Sequence, residues 1–470
     1  MSGSIQMGSV RIIRFARRPS QNGRKPFLQI EAIRTNWREG ALWQPMLATH
    51  MKADHNRLIN LYPDVTYQPV MGFGGAFTEA AGATWLSLTR EAQDAFVRAC
   101  FGAEGLQYTL GRAHMGSCDF SLGNYACLTD PADEALTSFC MVRDEQYLLP
   151  LIRRAQAAAG GQLRLLLSPW SPPPFMKSNG EMNRGGTLLP QFARLWARCI
   201  AAYVKRYRAA GAPVTMLTVQ NEPEALQTWD SCVYTARDEG IFVSEHLGPV
   251  MQDEGLADVQ VLIWDHNKDR MLLRATETLG TARAARYVTG VAFHWYTGDH
   301  FENVAMTAQR FPDLTLLFTE GCVEYSRFSG TDDVQKAEMY AHDIMGNLNA
   351  GMHGFIDWNL LLDAKGGPNH VGNYCDAPIM ATGDGGVALR ASYYYIGHFS
   401  RYIRPGATRI GVSRFSTAVE ATAFQNPDGG IALVLLNRTE AAVPLFIGLP
   451  DGEAFALSLG AREIVTASLR

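Results

Sequence analysis

Short apolar runs, five to eight residues each, alternate along most of this chain with longer stretches whose apolar positions recur every three or four residues. The runs lie at 69–73, 106–112, 163–167, 214–219, 259–264, 288–295, 314–319 and 353–358. Residues 190–210 read as a helix that opens with a proline and closes at Gly211, and 332–350 read the same way, stopping at Gly351. Strands spaced by helices predict βα units and a parallel sheet, and eight of them predict a closed (β/α)8 barrel. A doubly wound open sheet is the alternative arrangement of the same elements. After about residue 398 the pattern changes to period-two runs at 418–424, 431–436, 443–447 and 462–468, separated by turns such as Asn426-Pro427-Asp428-Gly429-Gly430. Two N-terminal runs, about 28–33 and 43–51, have no helix between them and are expected to pair with these C-terminal strands. The expectation is therefore α/β: a TIM barrel over 66–398, with an all-β sandwich built from the strands of 1–65 and 399–470.

Composition agrees with a large barrel and a smaller domain. The chain has 470 residues, 47% of them hydrophobic and 19% charged, enough for an extensive core. A net charge of −4 without long runs of one sign argues against nucleic acid or an anionic membrane as partner. The basic N-terminus lacks an apolar stretch of signal-peptide length, and no segment reaches the roughly 18 apolar residues of a membrane span. A soluble, cytoplasmic protein is the expectation. Eight cysteines are scattered with no CxxC pair and read as free, mostly buried thiols.

The residues at the C-terminal end of each barrel run change the picture from fold to chemistry. The eight runs lead in turn to Glu79, Arg112, Trp170, Asn221-Glu222, Asp265, His294-Trp295-Tyr296, Glu320 and Trp358-Asn359. In a barrel these strand ends gather on one face, where active sites lie. Carboxylates, amides and indoles around one mouth suit a ligand that is polar at its edges and apolar on its faces, as a sugar is. Glycoside hydrolysis uses two carboxyl groups, one donating a proton to the leaving oxygen and one acting at the anomeric carbon. Glu222 and Glu320 stand 98 residues apart on the fourth and seventh strands, whose ends can face one another across the mouth. A separation of about 5 Å means retention, and roughly 6.5–9.5 Å inversion.

At these residues the chain resembles glycoside hydrolase family 30, in its glucosylceramidase-like branch. The resemblance runs from about residue 66 to the C-terminus through Gly72-Phe73-Gly74-Gly75-Ala76-Phe77-Thr78-Glu79, Ser117-Cys118-Asp119-Phe120-Ser121, Ser168-Pro169-Trp170, Lys177-Ser178-Asn179-Gly180, Asn221-Glu222-Pro223, His294-Trp295-Tyr296, Thr319-Glu320-Gly321-Cys322-Val323, Trp358-Asn359-Leu360 and Gly366-Gly367-Pro368-Asn369, in order. It implies Glu222 as acid/base and Glu320 as nucleophile, with net retention. It also implies a first sugar subsite of Glu79, Trp170, Asn221, Trp358 and Asn373, with Tyr296 beside the nucleophile and Arg112 holding its charge; His294 reads, from the residues alone, as a hydrogen-bonding histidine at the barrel rim. Arg112 is expected to favour ionised Glu320, while burial and a neighbouring carboxylate keep Glu222 protonated. The branch carries Asp where this chain has Glu79, which makes Glu79 the expected determinant of sugar choice.

Several features have plainer readings. Gly72-Phe73-Gly74-Gly75 lacks the third glycine of a dinucleotide loop and is expected to be a tight turn at the barrel entrance. His294 has no HExxH-type spacing, so no metal or other cofactor is implied. Trp229 either lines outer subsites or packs beneath a loop. Phe175, Met176 and Trp229 would permit an apolar aglycone. Cys322 reads as a buried structural thiol, and the Asn437-Arg438-Thr439 sequon carries little weight without a secretion signal. The expected activity is that of an exo-acting β-glycosidase of β-glucosidase or glucosylceramidase type, with a small glycoside or glycolipid as substrate. The same mechanism on a β-xyloside, β-fucoside or β-1,6-glucan is the alternative, and an inactive carbohydrate-binding protein is the rival of another class.

Overall fold

A computed structural model describes residues 30–51, 56–281, 283–449 and 453–470. Residues 28 and 29 of the first expected strand lie outside them. The strands before the barrel are β1 (Ile30–Asn36), β2 (Ala41–Met46), β3 (Thr49–His50) and β4 (Leu58–Pro69). The barrel strands are β5 (Gly72–Phe77), β6 (Leu110–Met115), β7 (Arg164–Pro169), β8 (Val214–Thr218), β9 (Gln260–Asn267), β10 (Val288–His294), β11 (Thr315–Glu320) and β12 (Gly354–Asn359). They close into a parallel barrel in chain order, β12 pairing with β5.

Period-two alternation fills the barrel in layers. Leu110, Leu166, Met216, Leu262, Ala292, Leu317 and Ile356, one from each of β6 to β12, form a buried apolar layer. β5 contributes glycine instead: a Cβ on Gly74 would run into the Leu110 carbonyl. The glycines at 72–75 are thus part of the first barrel strand and allow its close approach to β6. The expected tight turn is corrected, and the strand itself begins three residues later than the run at 69–73 suggested.

Two residues beyond the apolar layer, the inward positions become Arg112, Ser168, Thr218, His294, Thr319 and Trp358, all buried. This is the floor of the site. In β9 the alternation breaks. Ala292 pairs with Trp264 and Phe293 with His266, which leaves Asp265 as an extra residue in a β-bulge. Similar shifts interrupt β11 beside Glu320 and β12 beside Trp358.

A short hairpin, β13 (Ile379–Ala381) with β14 (Val387–Leu389), and the helix Ala391–Ser400 lead out of the barrel. The C-terminal strands are β15 (Thr408–Arg414), β16 (Val419–Gln425), β17 (Ile431–Asn437), β18 (Val443–Gly448), β19 (Ala454–Leu459) and β20 (Glu463–Leu469). With β1–β4 they form one ten-stranded sheet in the order β2-β1-β20-β17-β16-β15-β4-β18-β19-β3. It folds over at β4, which pairs antiparallel with β15 and parallel with β18. Residues 66–69, at the end of β4, therefore pair with the sandwich. Leu433 and Leu435 of β17 face the sandwich core, while Ala432, Val434 and Leu436 pack against the barrel's outer helices. Among the described residues, no helix is long and apolar enough to cross a membrane.

Candidate active site

The strand ends converge as expected, with one exception. A cavity of about 200 Å³ is lined by Trp170, Asn221, Glu222, Tyr296, Glu320, Trp358 and Asn373, together with Asp119, Gln227, Trp229, His266, Asn267, Cys322, Glu324 and Arg327. Glu222 and Glu320 come from strands separated by β9 and β10 on one side and by four strands on the other.

Arg112 lies beneath the cavity and organises it. Its Nη1 donates to Glu320 Oε2 at 2.6 Å, its Nη2 to Asn221 Oδ1 and to Asp265 Oδ2 at 2.8 Å each, and its Nε to Ser168 Oγ at 3.0 Å. The guanidinium packs on Trp170, 4.6 Å from the ring centroid, and Trp170 stacks with Trp358 at 5.3 Å. A buried cation in such a network is satisfied on several sides at once, which offsets its desolvation. Asp265 also accepts from Thr218 Oγ1 at 2.7 Å and Thr319 Oγ1 at 2.6 Å, and lies 3.1 Å from His294 Nε2. Burial disfavours its charge, but Arg112 and His294 more than reverse this and hold the carboxyl well below the usual range.

Tyr296 donates to Glu320 Oε1 at 2.9 Å. Glu222 Oε1 is 3.4 Å from His294 Nδ1 and 3.7 Å from His266 Nδ1, and Gln227 Nε2 donates to Oε2 at 3.4 Å. The backbone here is unusual. Glu222, Trp264 and Asp265 have φ of 45°, 75° and 51°, left-handed values that side-chain-bearing residues seldom adopt. The Glu222 N–H donates to the Asp265 carbonyl at 3.0 Å, which ties these segments together.

The protonation pattern departs from the sequence expectation. Burial pushes Glu222 up, but the imidazoles of His266 and His294 outweigh it, and Glu222 is lowered to about 2. Burial raises Glu320, and His294 and Arg112 do not fully reverse it. His294 is raised to about 9: its burial opposes this, but Glu320, Asp265 and Glu222 surround it with negative charge. The proton near Glu222 thus resides on the His294 imidazolium.

Glu79 is the exception. It is fully buried, and its carboxylate accepts from Arg143 Nε at 2.6 Å and from the Leu122 N–H at 3.0 Å. It does not line the cavity, so its assignment to the sugar subsite is corrected. The helix Glu79–Ser87, capped by Thr78, starts where the strand ends and directs the side chain under a neighbouring loop. The carboxylate in the cavity is instead Asp119, 3.4 Å from Asn373 Nδ2 and 3.3 Å from Asn369 Nδ2. Burial, with Glu320 nearby, raises Asp119 well above the usual range. Arg112 and His294 support the floor without lining the cavity. Trp229 lines it, whereas Met176 is fully buried and Phe175 packs against Phe192 at 5.3 Å.

Sequence reasoning missed His266 and did not select Asp119. Asp119 carried a signal, because it sits in one of the ordered stretches. His266 carried one as well, since it stands four positions after the inward Leu262, whereas strict alternation turns Asp265 outward. Glu222, His266 and His294 each offer a donor atom within 4.8 Å of the others, which makes them the group able to hold a metal ion among the described residues. All eight cysteines are free, seven of them buried, and the Sγ atoms of Cys322 and Cys375 lie 3.2 Å apart. Asn437 is buried and its amide donates to the Ala441 and Gly460 carbonyls, so the sequon is structural.

Comparison with known proteins gives the same architecture. Residues 70–403 match the glycosyl hydrolase family 30 TIM-barrel domain, and 406–467 the family's beta sandwich domain. The lysosomal acid glucosylceramidase of Mus musculus is 33% identical over 84% of this chain and 80% of its own. An endo-1,6-beta-D-glucanase of Aspergillus fumigatus is 25% identical over 85% of this chain and 84% of its own. The crystal structure of SrfJ from Salmonella typhimurium superposes with a TM-score of 0.90 at 38% identity, covering 94% of this chain and 99% of that one.

Proposed function

Because this chain belongs to glycosyl hydrolase family 30 and is a glycoside hydrolase, we propose that it acts as a retaining, exo-acting β-glycosidase of β-glucosidase or glucosylceramidase type. The observation that carries this is the pair of glutamates on one small cavity, in unlike surroundings: Glu320 against Arg112 and Tyr296, Glu222 against two imidazoles. A carboxylate gripped by a cation and a phenol is oriented for attack on the anomeric carbon. A carboxylate beside an imidazolium can receive a proton and pass it on.

In the first step Glu320 forms a bond to the anomeric carbon as the glycosidic bond breaks. The leaving oxygen takes the proton that His294 Nδ1 delivers through Glu222 across 3.4 Å, which leaves Glu222 ionised and His294 neutral for the second step. In the second step Glu222 draws a proton from water, whose oxygen displaces Glu320. Asp119, Asn373, Asn221 and the Trp170–Trp358 stack would hold the sugar, hydroxyls on the polar groups and C–H faces on the indoles. Trp229 lines the cavity and Leu226 in the same loop is 74% exposed, which supports an apolar aglycone.

Proton NMR of aryl β-glucoside hydrolysis tests the reading. The β-anomer should appear first, and an initial α-anomer would overturn retention. Glu222→Ala should lower kcat about 10²–10⁴-fold, with much smaller losses on substrates whose leaving group needs no proton. Glu320→Ala should lose activity on every leaving group. Near-full activity in either variant would sink the assignment. A panel of β-glucoside, β-xyloside, β-fucoside and β-1,6-glucan decides the sugar and the mode of cleavage.

A further inference from the structure

We propose that Glu222, His266 and His294 bind one divalent transition-metal ion, of zinc-like ligand preference, that blocks the enzyme. The ion site stands on geometry alone; its inhibitory effect rests on the reading of Glu222 as acid/base.

The spacing fits. Glu222 Oε1 lies 3.4 Å from His294 Nδ1 and 3.7 Å from His266 Nδ1. A tetrahedral ion with bonds of about 2.1 Å separates its ligand atoms by about 3.4 Å. The two imidazoles and one carboxylate come from three strand ends and meet at the cavity wall, which leaves a fourth position for water or another ligand. Two nitrogen donors favour zinc, cobalt, nickel or copper over magnesium or calcium.

Two further observations point to a ligand. His266 Nδ1 is buried with no hydrogen-bond partner, although it faces Glu222. Buried polar atoms are normally paired, and a metal bond would pair this one. His294 is held for coordination: Nε2 is 3.1 Å from Asp265, which is itself fixed by Arg112, Thr218 and Thr319. A carboxylate behind a ligating histidine fixes the ring and strengthens it as a donor. The bulge at Asp265 makes this possible, since it lets Asp265 and His266 both face inward. An ion on Oε1 would occupy the atom that must exchange protons with the leaving group, so it acts as an inhibitor and not as a cofactor.

Cobalt(II) is the probe. Titration of the intact enzyme should give the visible absorption of four- or five-coordinate cobalt at one equivalent, displaced by zinc. His266→Gln and His294→Gln should each weaken binding at least about tenfold, with folding checked by circular dichroism. His266→Asn serves as a second variant if the first does not fold. No saturable binding overturns the site, as does equal binding in the folded histidine variants. A near-ultraviolet thiolate charge-transfer band overturns it too, since it would assign the ion to cysteine. Activity on an aryl β-glucoside should fall in step with occupancy and return with EDTA. If the ion binds through these histidines and activity persists, the site holds and the acid/base reading of Glu222 fails.

Discussion

Asp119 and Glu79 show how two similar carboxylates acquire different work. Glu79 is committed to Arg143, so Arg143→Ala should leave a buried charge unpaired and cost roughly 3–5 kcal/mol, read by guanidinium unfolding, with the ranking of sugars unchanged. Asp119 is in the cavity on two amides. Asp119→Asn should lower kcat/KM about 10²-fold on every substrate that presents the matching hydroxyl, with little loss of stability. His294 supplies a pH prediction. Its pKa in the folded protein, about 9, is above its ordinary 6.5. The stabilisation, on the order of 3 kcal/mol, is therefore full below about 6.5 and lost as pH rises through about 9. Unfolding of wild type should lose stability over that interval, while His294→Gln should be flat there. Activity should fall on the same alkaline limb.

At the scale of elements, strand alternation explains most of the site, and its interruptions explain the rest. Arg112, Ser168, Thr218 and His294 each stand two positions after an apolar-layer residue, so their inward placement was legible in the sequence. Asp265 stands three after Leu262, and only the bulge in β9 brings it in. The first barrel strand departs from its local pattern for a different reason. Gly72-Phe73-Gly74-Gly75 has the composition of a turn, yet it is a strand whose glycines allow close approach: a Cβ at Gly72, Gly74 or Gly75 would meet Thr109, Leu110 or Leu360. Gly74→Ala should push β5 away from the Leu110 carbonyl. Soluble yield and melting temperature should drop sharply, whereas Gly330→Ala, with no atom within 4 Å and no left-handed φ, should cost about 1 kcal/mol at most.

The whole molecule is joined along the helix Ala391–Ser400. His398 is buried there between the two domains, its ring nitrogens 2.8 Å from Thr466 Oγ1 and 2.9 Å from Thr35 Oγ1. Thr466 donates to the His398 carbonyl at 3.0 Å and so accepts from Nδ1–H, which leaves Nε2 to accept from Thr35. Protonation would replace that acceptor with a donor. Burial, aided by Arg401, lowers His398 to about 3. Its contribution is present above about pH 6.5 and lost as pH falls from there toward about 3, reaching about 2 kcal/mol near pH 5. Acid unfolding monitored in wild type and His398→Gln should show the steeper slope in wild type.

The sequence by itself determined the barrel, the sandwich, and seven of the ten residues expected at the site that do line the cavity. These rest on local rules: strand and helix periods, and the convergence of barrel strand ends on one face. The end of β4, the strands β15 and β19, the burial of Glu79 and the inward turn of Asp265 depend on what lies opposite in space. Pairing partners, a capped helix start and an extra residue in a strand move a side chain by a whole face without changing the composition around it. Only the tertiary structure decides such positions, because each is set by contacts with residues far away in the chain.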